Sequence, residues 1–144
     1  MIVLDTHIWL WWVNKNTELL SSTQKDALEK SDQLAICAIS CFEVAWLDRH
    51  QRIVLPQNKS DWFEKALDGS GILLLPITPK IAEISVELPE HHRDPQDRLI
   101  IATAIAQGIK IVLKKSLPTN IDQRPYGNGQ SALKIQAILS SKKL

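Results

Sequence analysis

A chain of 144 residues has room for a single domain built around one hydrophobic core. Hydrophobic residues make up 44% of the chain and charged residues 23%, which is typical of globular proteins and excludes a disordered or fibrous chain. The formal net charge of +1 shows no overall basic excess, so a nucleic-acid-binding role has to be argued from a particular site.

The sequence gives no sign of membrane insertion or secretion. Its longest apolar stretches, residues 8–13 and 72–77, are much shorter than the roughly 20 residues that cross a bilayer. The N-terminus lacks the basic and apolar regions of a secretory signal, so we expect a cytoplasmic protein. Cys37 and Cys41 are the only cysteines, too few for a zinc site of the usual spacing, and we expect two buried thiols.

The first half of the chain predicts two strand-to-helix units. Residues 1–4 are apolar and partly β-branched, which predicts a buried strand that ends at Asp5 and turns into a helix. Residues 34–39 predict a second strand. Ser40 and Glu43 have the spacing of a capping box, so we expect them to open the next helix.

The second half repeats this alternation after that helix ends near His50. Residues 72–75 predict a third strand. Thr78 and Pro79 predict a helix start, with the threonine as cap and the proline in the first helical position. This helix should end before Pro89, because a proline cannot continue it.

A second Asp-Pro helix start lies in residues 94–97. Residues 99–106 are apolar nearly all round, which predicts a buried helix that ends at Gly108. Residues 109–113 predict a fourth strand. Alternating strands and helices are typical of an α/β fold with a mostly parallel sheet covered by helices on both faces.

The C-terminal part has a different composition. Residues 114–130 are rich in Pro, Gly, Asn and Lys, which predicts irregular structure, and residues 131–143 predict a weak terminal helix. We expect residues 1–144 to form one domain, with residues 114–144 as an atypical C-terminal segment.

Three acidic residues occupy comparable places in this predicted sheet: Asp5 follows a strand, and Glu43 and Asp97 lie early in helices. Because the carboxyl ends of parallel strands meet at one edge, these carboxylates can converge in one pocket. Hard divalent ions such as Mg²⁺ or Mn²⁺ take carboxylate oxygens as ligands. A purely structural interpretation is also open, since helix capping explains Glu43 and Asp94, and a turn explains Asp5.

Three segments together resemble a known family. Residues 2–12 are IVLDTHIWLWW, residues 38–47 are AISCFEVAWL, and residues 92–104 are HRDPQDRLIIATA. In this order and spacing they resemble PIN-domain toxins of the VapC kind, and the resemblance covers about residues 1–113. It implies a PIN-like three-layer α/β/α fold with a mostly parallel sheet of four to five strands.

The resemblance also implies a site and an activity. Asp5, Glu43 and Asp97 match the family's metal-binding catalytic acids, with Mg²⁺ or Mn²⁺ as the metal. Asp94 and Thr6 are candidates for an outer shell, although Asp94 has capping as its alternative role. The implied protein is an endoribonuclease, the toxin of a toxin-antitoxin pair. Its implied partners are an RNA substrate, a cognate antitoxin and a second copy of the chain in a homodimer.

One position departs from the family's pattern. Such domains typically carry a fourth acid after the next strand, where this sequence has Lys115. A cation at that position disfavours a second metal ion, so we expect single-metal chemistry and weakened activity. Two alternatives are that Lys115 contacts a substrate phosphate or that Asp122 supplies the missing oxygen.

Other charged residues are candidates for substrate contacts. Arg93 and Arg98 flank Asp97 and can bind phosphate through forked hydrogen bonds, or pair with the nearby acids. A basic patch that faces RNA, or a solvated surface, is predicted from five late residues: Lys110, Lys114, Lys115, Arg124 and Lys134.

Five tryptophans are many for a chain of this length, and most are expected in the core. Trp9 and Trp12 fall on one predicted helical face, which favours packing. Trp11 is the best candidate for a surface aromatic residue that stacks on a base or receives a partner's side chain.

Two further functions fit parts of the same pattern. A degenerate PIN domain can bind RNA or an antitoxin-like partner without cutting. A phosphotransfer domain, either a haloacid-dehalogenase-like phosphatase or a receiver, also places an aspartate at the end of its first strand. The phosphatase pattern requires a second aspartate where His7 stands, and the paired acids of a receiver are missing near Asp5.

Overall fold

The computed structural model describes residues 1–90 and 93–114, together with the backbone of residues 137–138. The helices of this part of the chain are α1 (Thr6–Val13), α2 (Ser22–Lys30), α3 (Ile39–Arg49), α4 (Lys59–Ala66), α5 (Pro79–Glu87) and α6 (Pro95–Gln107). Its strands are β1 (Ile2–Leu4), β2 (Leu34–Cys37), β3 (Leu73–Leu75), β4 (Lys110–Val112) and β5 (Ala137–Ile138). Short 3-10 turns at Thr17–Leu19 and Asp68–Ser70 lie in the connections.

The strands form one sheet in the order β3-β2-β1-β4-β5, and every neighbouring pair is parallel. At its centre, Leu4 of β1 lies opposite Ile36 of β2 and Val112 of β4. The chain continues from β1 toward one side of the sheet and then returns to the other side. The carboxyl end of β1 is therefore where the strand order reverses, the usual ligand crevice of such sheets. The predicted parallel α/β sheet is confirmed.

Helices cover both faces of the sheet. Side chains alternate along β1, so that Ile2 and Leu4 enter one hydrophobic core and Val3 enters the other. The first core is closed by residues of α1, α2 and α4, and the second by residues of α5 and α6. The three-layer arrangement predicted from the sequence is present, and the two cores hold the connections at the carboxyl edge in place.

Two tryptophans form the centre of the first core. The rings of Trp9 and Trp62 are fully buried, with centroids 5.0 Å apart. Trp9 Nε1 donates a hydrogen bond to the carbonyl oxygen of Ala66 (3.1 Å), and Trp62 Nε1 donates to Asn14 Oδ1 (2.8 Å). Each indole is thus buried with its one polar group satisfied, which explains how the core accommodates two such large residues.

The start of α3 differs from the prediction. The helix begins with Ala38 as its N-cap, and no side chain caps it. Ser40 is fully buried inside the helix, and Glu43 lies beyond the first turn, so the predicted capping box is wrong. Trp46, for which the sequence makes no individual prediction, is 44% exposed and stacks on the ring of His50.

Other boundaries follow the sequence closely. The helix α6 ends at Gly108, whose φ of 63° is the left-handed conformation that ends many helices. Cys37 is buried as expected, whereas Cys41 is only partly buried. Ala137–Ile138 pair with β4 as a strand, so the predicted helix is wrong at these two residues. The rest of the C-terminal prediction lies outside the described residues. Among the described helices, none has the length and apolar character to cross a membrane.

Candidate functional site

Asp5 is held at the carboxyl edge of the sheet by backbone contacts from two elements. It is the N-cap of α1, where Oδ1 accepts a hydrogen bond from the amide of Thr6 (2.8 Å). Its Oδ2 accepts from the amide of Lys114, just after β4 (3.0 Å). Each carboxylate oxygen has a second lone pair, so this structural role leaves Asp5 able to bind a cation.

Glu43 projects from the second turn of α3 and is only partly exposed. Its Oε1 is buried and has no hydrogen-bond partner in the described part of the chain. A buried polar atom of this kind is unusual in a protein, because leaving it unpaired costs free energy. Since Glu43 caps no helix, the capping interpretation does not account for its place in the fold.

The electrostatic environment of Glu43 disfavours its charge. Burial is the main cause that raises its pKa, to about 7. A hydrogen bond from Thr6 opposes the rise, while the charges of Asp5, Asp97 and Asp94 add to it. The structure therefore brings acids from two other connections close enough to act on the carboxyl group of Glu43.

Asp94 and Asp97 lie at the start of α6, and both are exposed. Asp94 is the N-cap, and its Oδ1 accepts a hydrogen bond from the amide of Gln96 (3.0 Å). Asp97 lies in the first turn, as predicted. Asp94 therefore has the capping role suggested for it. Asp97 takes no part in this side-chain cap.

Two hydroxyl groups connect α1 and α3 beneath the acids. Thr6 and Ser40 are both fully buried, and their hydroxyl oxygens share a hydrogen bond of 2.9 Å. The Thr6 side chain also lowers the pKa of Glu43, so this hydroxyl pair lies beside the carboxyl group. Ser40 was missed as a site residue because its spacing from Glu43 imitates a helix cap.

The donor set fits a hard divalent cation. The carboxylate groups supply oxygen ligands, and Glu43 Oε1 has unused hydrogen-bonding capacity among repelling negative charges. As placed, no three His, Cys, Asp or Glu side chains of residues 1–90 and 93–114 form a closed metal-binding group. The fit therefore rests on the chemistry of Glu43 and its neighbours.

The two predicted arginine contacts have different outcomes. Arg93 is exposed. Arg98 instead donates to backbone carbonyl groups at the end of α5 and beyond it, at distances of 2.7 to 3.2 Å: those of Ser85, Val86, Leu88 and Pro89. Arg98 therefore fastens α6 to α5, and we correct its predicted role as a phosphate contact.

Several candidates of the basic C-terminal part lie outside the described residues, namely Lys115, Asp122, Arg124 and Lys134. Lys114 is described and exposed, and its ammonium lies over the ring of Trp11. Trp11, the predicted surface aromatic residue, is partly buried. The sequence singled out both residues only in general terms, because their proximity depends on the pairing of β1 with β4.

The chain matches the model of a known family. The family model of the PIN domain matches residues 2–115, and the chain belongs to the PIN-domain family. This membership sets aside both phosphotransfer alternatives. The assignment of residues 116–144 to the same domain stays a prediction.

Individual relatives agree with this membership. Over 114 residues the chain is 39% identical to Ribonuclease VapC22 of Mycobacterium tuberculosis, covering 78% of this chain and 85% of that protein. It is also similar in structure to a toxin-antitoxin complex from Klebsiella pneumoniae, with a TM-score of 0.55, 24% identity, and coverage of 78% of this chain and 85% of that chain.

Two further solved structures share the fold at lower identity. VapBC2 from Rickettsia felis, bound to a DNA fragment from its promoter, gives a TM-score of 0.55 and 22% identity, covering 78% of this chain and 87% of that chain. FitAB bound to the IR36 DNA fragment gives a TM-score of 0.56 and 16% identity, covering 97% of this chain and 95% of that chain. At these identities the structural likeness establishes the fold alone.

Proposed function

We propose that this protein is a divalent-metal-dependent endoribonuclease and the toxin component of a toxin-antitoxin pair. The similarity to a VapC ribonuclease supports the activity class. The observation that carries the metal dependence is the buried, unpartnered Oε1 of Glu43 in the field of three other acids. A cation there supplies the missing partner and relieves the repulsion among the carboxylates.

In this proposal Asp5, Glu43 and Asp97 would hold Mg²⁺ or Mn²⁺. When bound, such an ion lowers the pKa of water and stabilises negative charge on a phosphoryl group. Asp5 contributes a fixed carboxylate, because two backbone amides restrict its orientation. Glu43, with a pKa of about 7 before any ion binds, can hold or release a proton at neutral pH.

The test is RNA cleavage by the purified protein with Mg²⁺ or Mn²⁺, with EDTA, and by the Asp97→Asn variant. We expect EDTA to abolish cleavage and Asp97→Asn to reduce it on the order of 100-fold, since one ligand is lost. Asp26→Asn removes the same charge on α2, where Asp26 pairs with Lys30, and serves as the matched control.

Two outcomes would count against the proposal. Cleavage that survives both EDTA and Asp97→Asn would contradict the metal mechanism. Binding of RNA without cleavage at any metal concentration would instead support the degenerate PIN domain that binds without cutting.

The proposal includes protein partners and a location. The chain forms a homodimer in the cytoplasm and is neutralised by a cognate antitoxin. The toxin-antitoxin complex from Klebsiella pneumoniae, which shares the fold, supports an antitoxin partner. Sedimentation of the purified chain and copurification with its coexpressed antitoxin test these two associations. A monomer at all concentrations, or no copurification, would contradict the corresponding part.

A further inference from the structure

Lys114 is anchored beside the candidate site by its backbone. It directly follows β4, and its amide donates to Asp5 Oδ2 at 3.0 Å. This bond holds the backbone of Lys114 next to a carboxylate of the site, while the lysine side chain is exposed. The position of Lys114 is therefore coupled to that of Asp5.

The ammonium of Lys114 is placed by an aromatic ring. Nζ lies 5.6 Å from the centroid of the Trp11 ring, within the range of a cation-π contact, about 6 Å. Trp11 packs against the first core and also contacts the ring of His7, with 6.0 Å between centroids. The indole is thus a fixed platform, and it restricts a side chain that would otherwise sample many rotamers.

The negative charges around the site make a nearby cation important for binding phosphate. Asp5, Glu43, Asp94 and Asp97 form a negative cluster that repels the phosphates of RNA. Arg98 keeps its positive charge, but its guanidinium donates to backbone carbonyl groups and is therefore not positioned to contact a phosphate. Lys114 is next to the cluster, yet its ammonium forms no salt bridge with any described residue. Its charge is available to a ligand.

We propose that Lys114, positioned by Trp11, binds a backbone phosphate of the RNA next to the one that is cleaved. This inference rests on the proposed ribonuclease function and adds the side chain that orients the substrate. Lys114 makes the contact as a point charge, and Trp11 acts as a positioning residue. The hydrogen bond from the Lys114 amide to Asp5 places this phosphate on the Asp5 side of the acidic cluster.

Binding is measured separately from cleavage by using the Asp97→Asn variant as background. The affinity for a labelled single-stranded RNA is measured at salt concentrations from roughly 50 to 200 mM, a range over which affinity that depends on phosphate contacts falls steeply. Lys114→Met should weaken binding several-fold and reduce the slope of log K against log salt by about 0.7, as expected for one lost contact with a single strand. Because the backbone amide remains, the thermal midpoint should not change.

The matched control is Lys110→Met, which removes the same charge at the exposed start of β4, at the opposite end of the strand from Lys114. It should leave the salt slope unchanged. Trp11→Leu should weaken binding in the same direction as Lys114→Met but less. In the otherwise unmodified chain, Lys114→Met should raise KM with little change in kcat, and Lys114→Arg should restore KM.

An unchanged salt slope for Lys114→Met would overturn the inference. So would a loss of affinity confined to a coexpressed antitoxin, because the lysine would then serve a protein partner. Failure of the ribonuclease proposal is distinguishable from both results, since wild-type protein would then not cleave RNA whatever Lys114 contributes to its binding.

Discussion

Glu43 is the residue whose environment is least compatible with a merely structural role. Its side chain caps no helix, its Oε1 is unpartnered in the described part of the chain, and burial, with a smaller effect of the neighbouring acids, raises its pKa to about 7. A protein retains such a group only if something offsets its cost. At the level of single residues, the strongest argument for a cation is this carboxyl group.

The raised pKa of Glu43 predicts a stability change with pH in the metal-free protein. The folded state binds the proton more tightly than the unfolded state, whose pKa is near the ordinary 4.5. Stability is therefore lost as pH rises from about 4.5 to about 7 and stays low above that. Glu43→Gln should remove this loss and stabilise the protein at pH 8 by about 1–3 kcal/mol, a range discounted for partial exposure.

Urea denaturation in EDTA at pH 5 and pH 8 measures this difference. Glu64→Gln, an exposed glutamate of α4, is the matched control and should have the same small effect at both pH values. Equal stabilisation by Glu43→Gln at both pH values would show that the charge of Glu43 is not the cause.

At the level of elements, α5 and α6 are joined by apolar packing in the second core and by the hydrogen bonds of one polar side chain. The end of α5 presents carbonyl groups that have no partner within the helix, and Arg98 of α6 donates to them and to the carbonyl of Pro89. This junction sets the position of α6 and hence of Asp97. Arg98 thus affects the candidate site indirectly, through the position of α6.

Arg98→Met should destabilise the protein by about 1–3 kcal/mol, because several partly buried carbonyl groups lose a charged donor. Arg98→Lys should restore little of this, since an ammonium lacks the planar fork of the guanidinium. The urea midpoint should fall with an unchanged m value. Arg93→Met, an exposed neighbour, is the control. Equal effects of the two substitutions would contradict the structural role of Arg98.

The sequence predicts elements better than the contacts between them. The buried strand before Asp5 and the Asp-Pro start of α6 are visible because their signals are local. Ser40 was misassigned as a cap because its partner Thr6 lies 34 positions away, on another helix. Arg98 was misassigned for the same reason, since nothing near it in the sequence shows that it faces the end of α5. The three acids could be proposed as one group because parallel strands end at the same edge of a sheet, and the resemblance to PIN domains selected them from the other acids.

At the level of the whole molecule, the candidate site joins parts of both cores. Asp5 follows the central strand, Glu43 comes from α3, and Asp97 comes from α6. An ion bound to all three would connect the two layers of helices across the sheet edge. Its binding free energy therefore adds to the stability of the entire fold.

Mg²⁺ or Mn²⁺ should raise the thermal midpoint in a concentration-dependent way. At a metal concentration of 100 times the dissociation constant, the free energy of unfolding should increase by about 2.7 kcal/mol. The increase should be larger at pH 8 than at pH 5, where Glu43 is protonated. Scanning calorimetry with Asp97→Asn, which should respond weakly, tests the assignment. An identical increase with sodium chloride of equal ionic strength would show screening instead of specific binding.

The hydrogen bond between Asp5 and Lys114 also has a consequence during protein synthesis. Its two residues are 109 positions apart, and β1 gains its neighbour β4 only when residues 110–112 are available. A ribosome-bound nascent chain that already contains Asp5 and Thr6 therefore lacks the second backbone contact of the Asp5 carboxylate until Lys114 has been translated. The orientation of Asp5 seen in the structure is therefore completed late in synthesis, after β4 has joined the sheet.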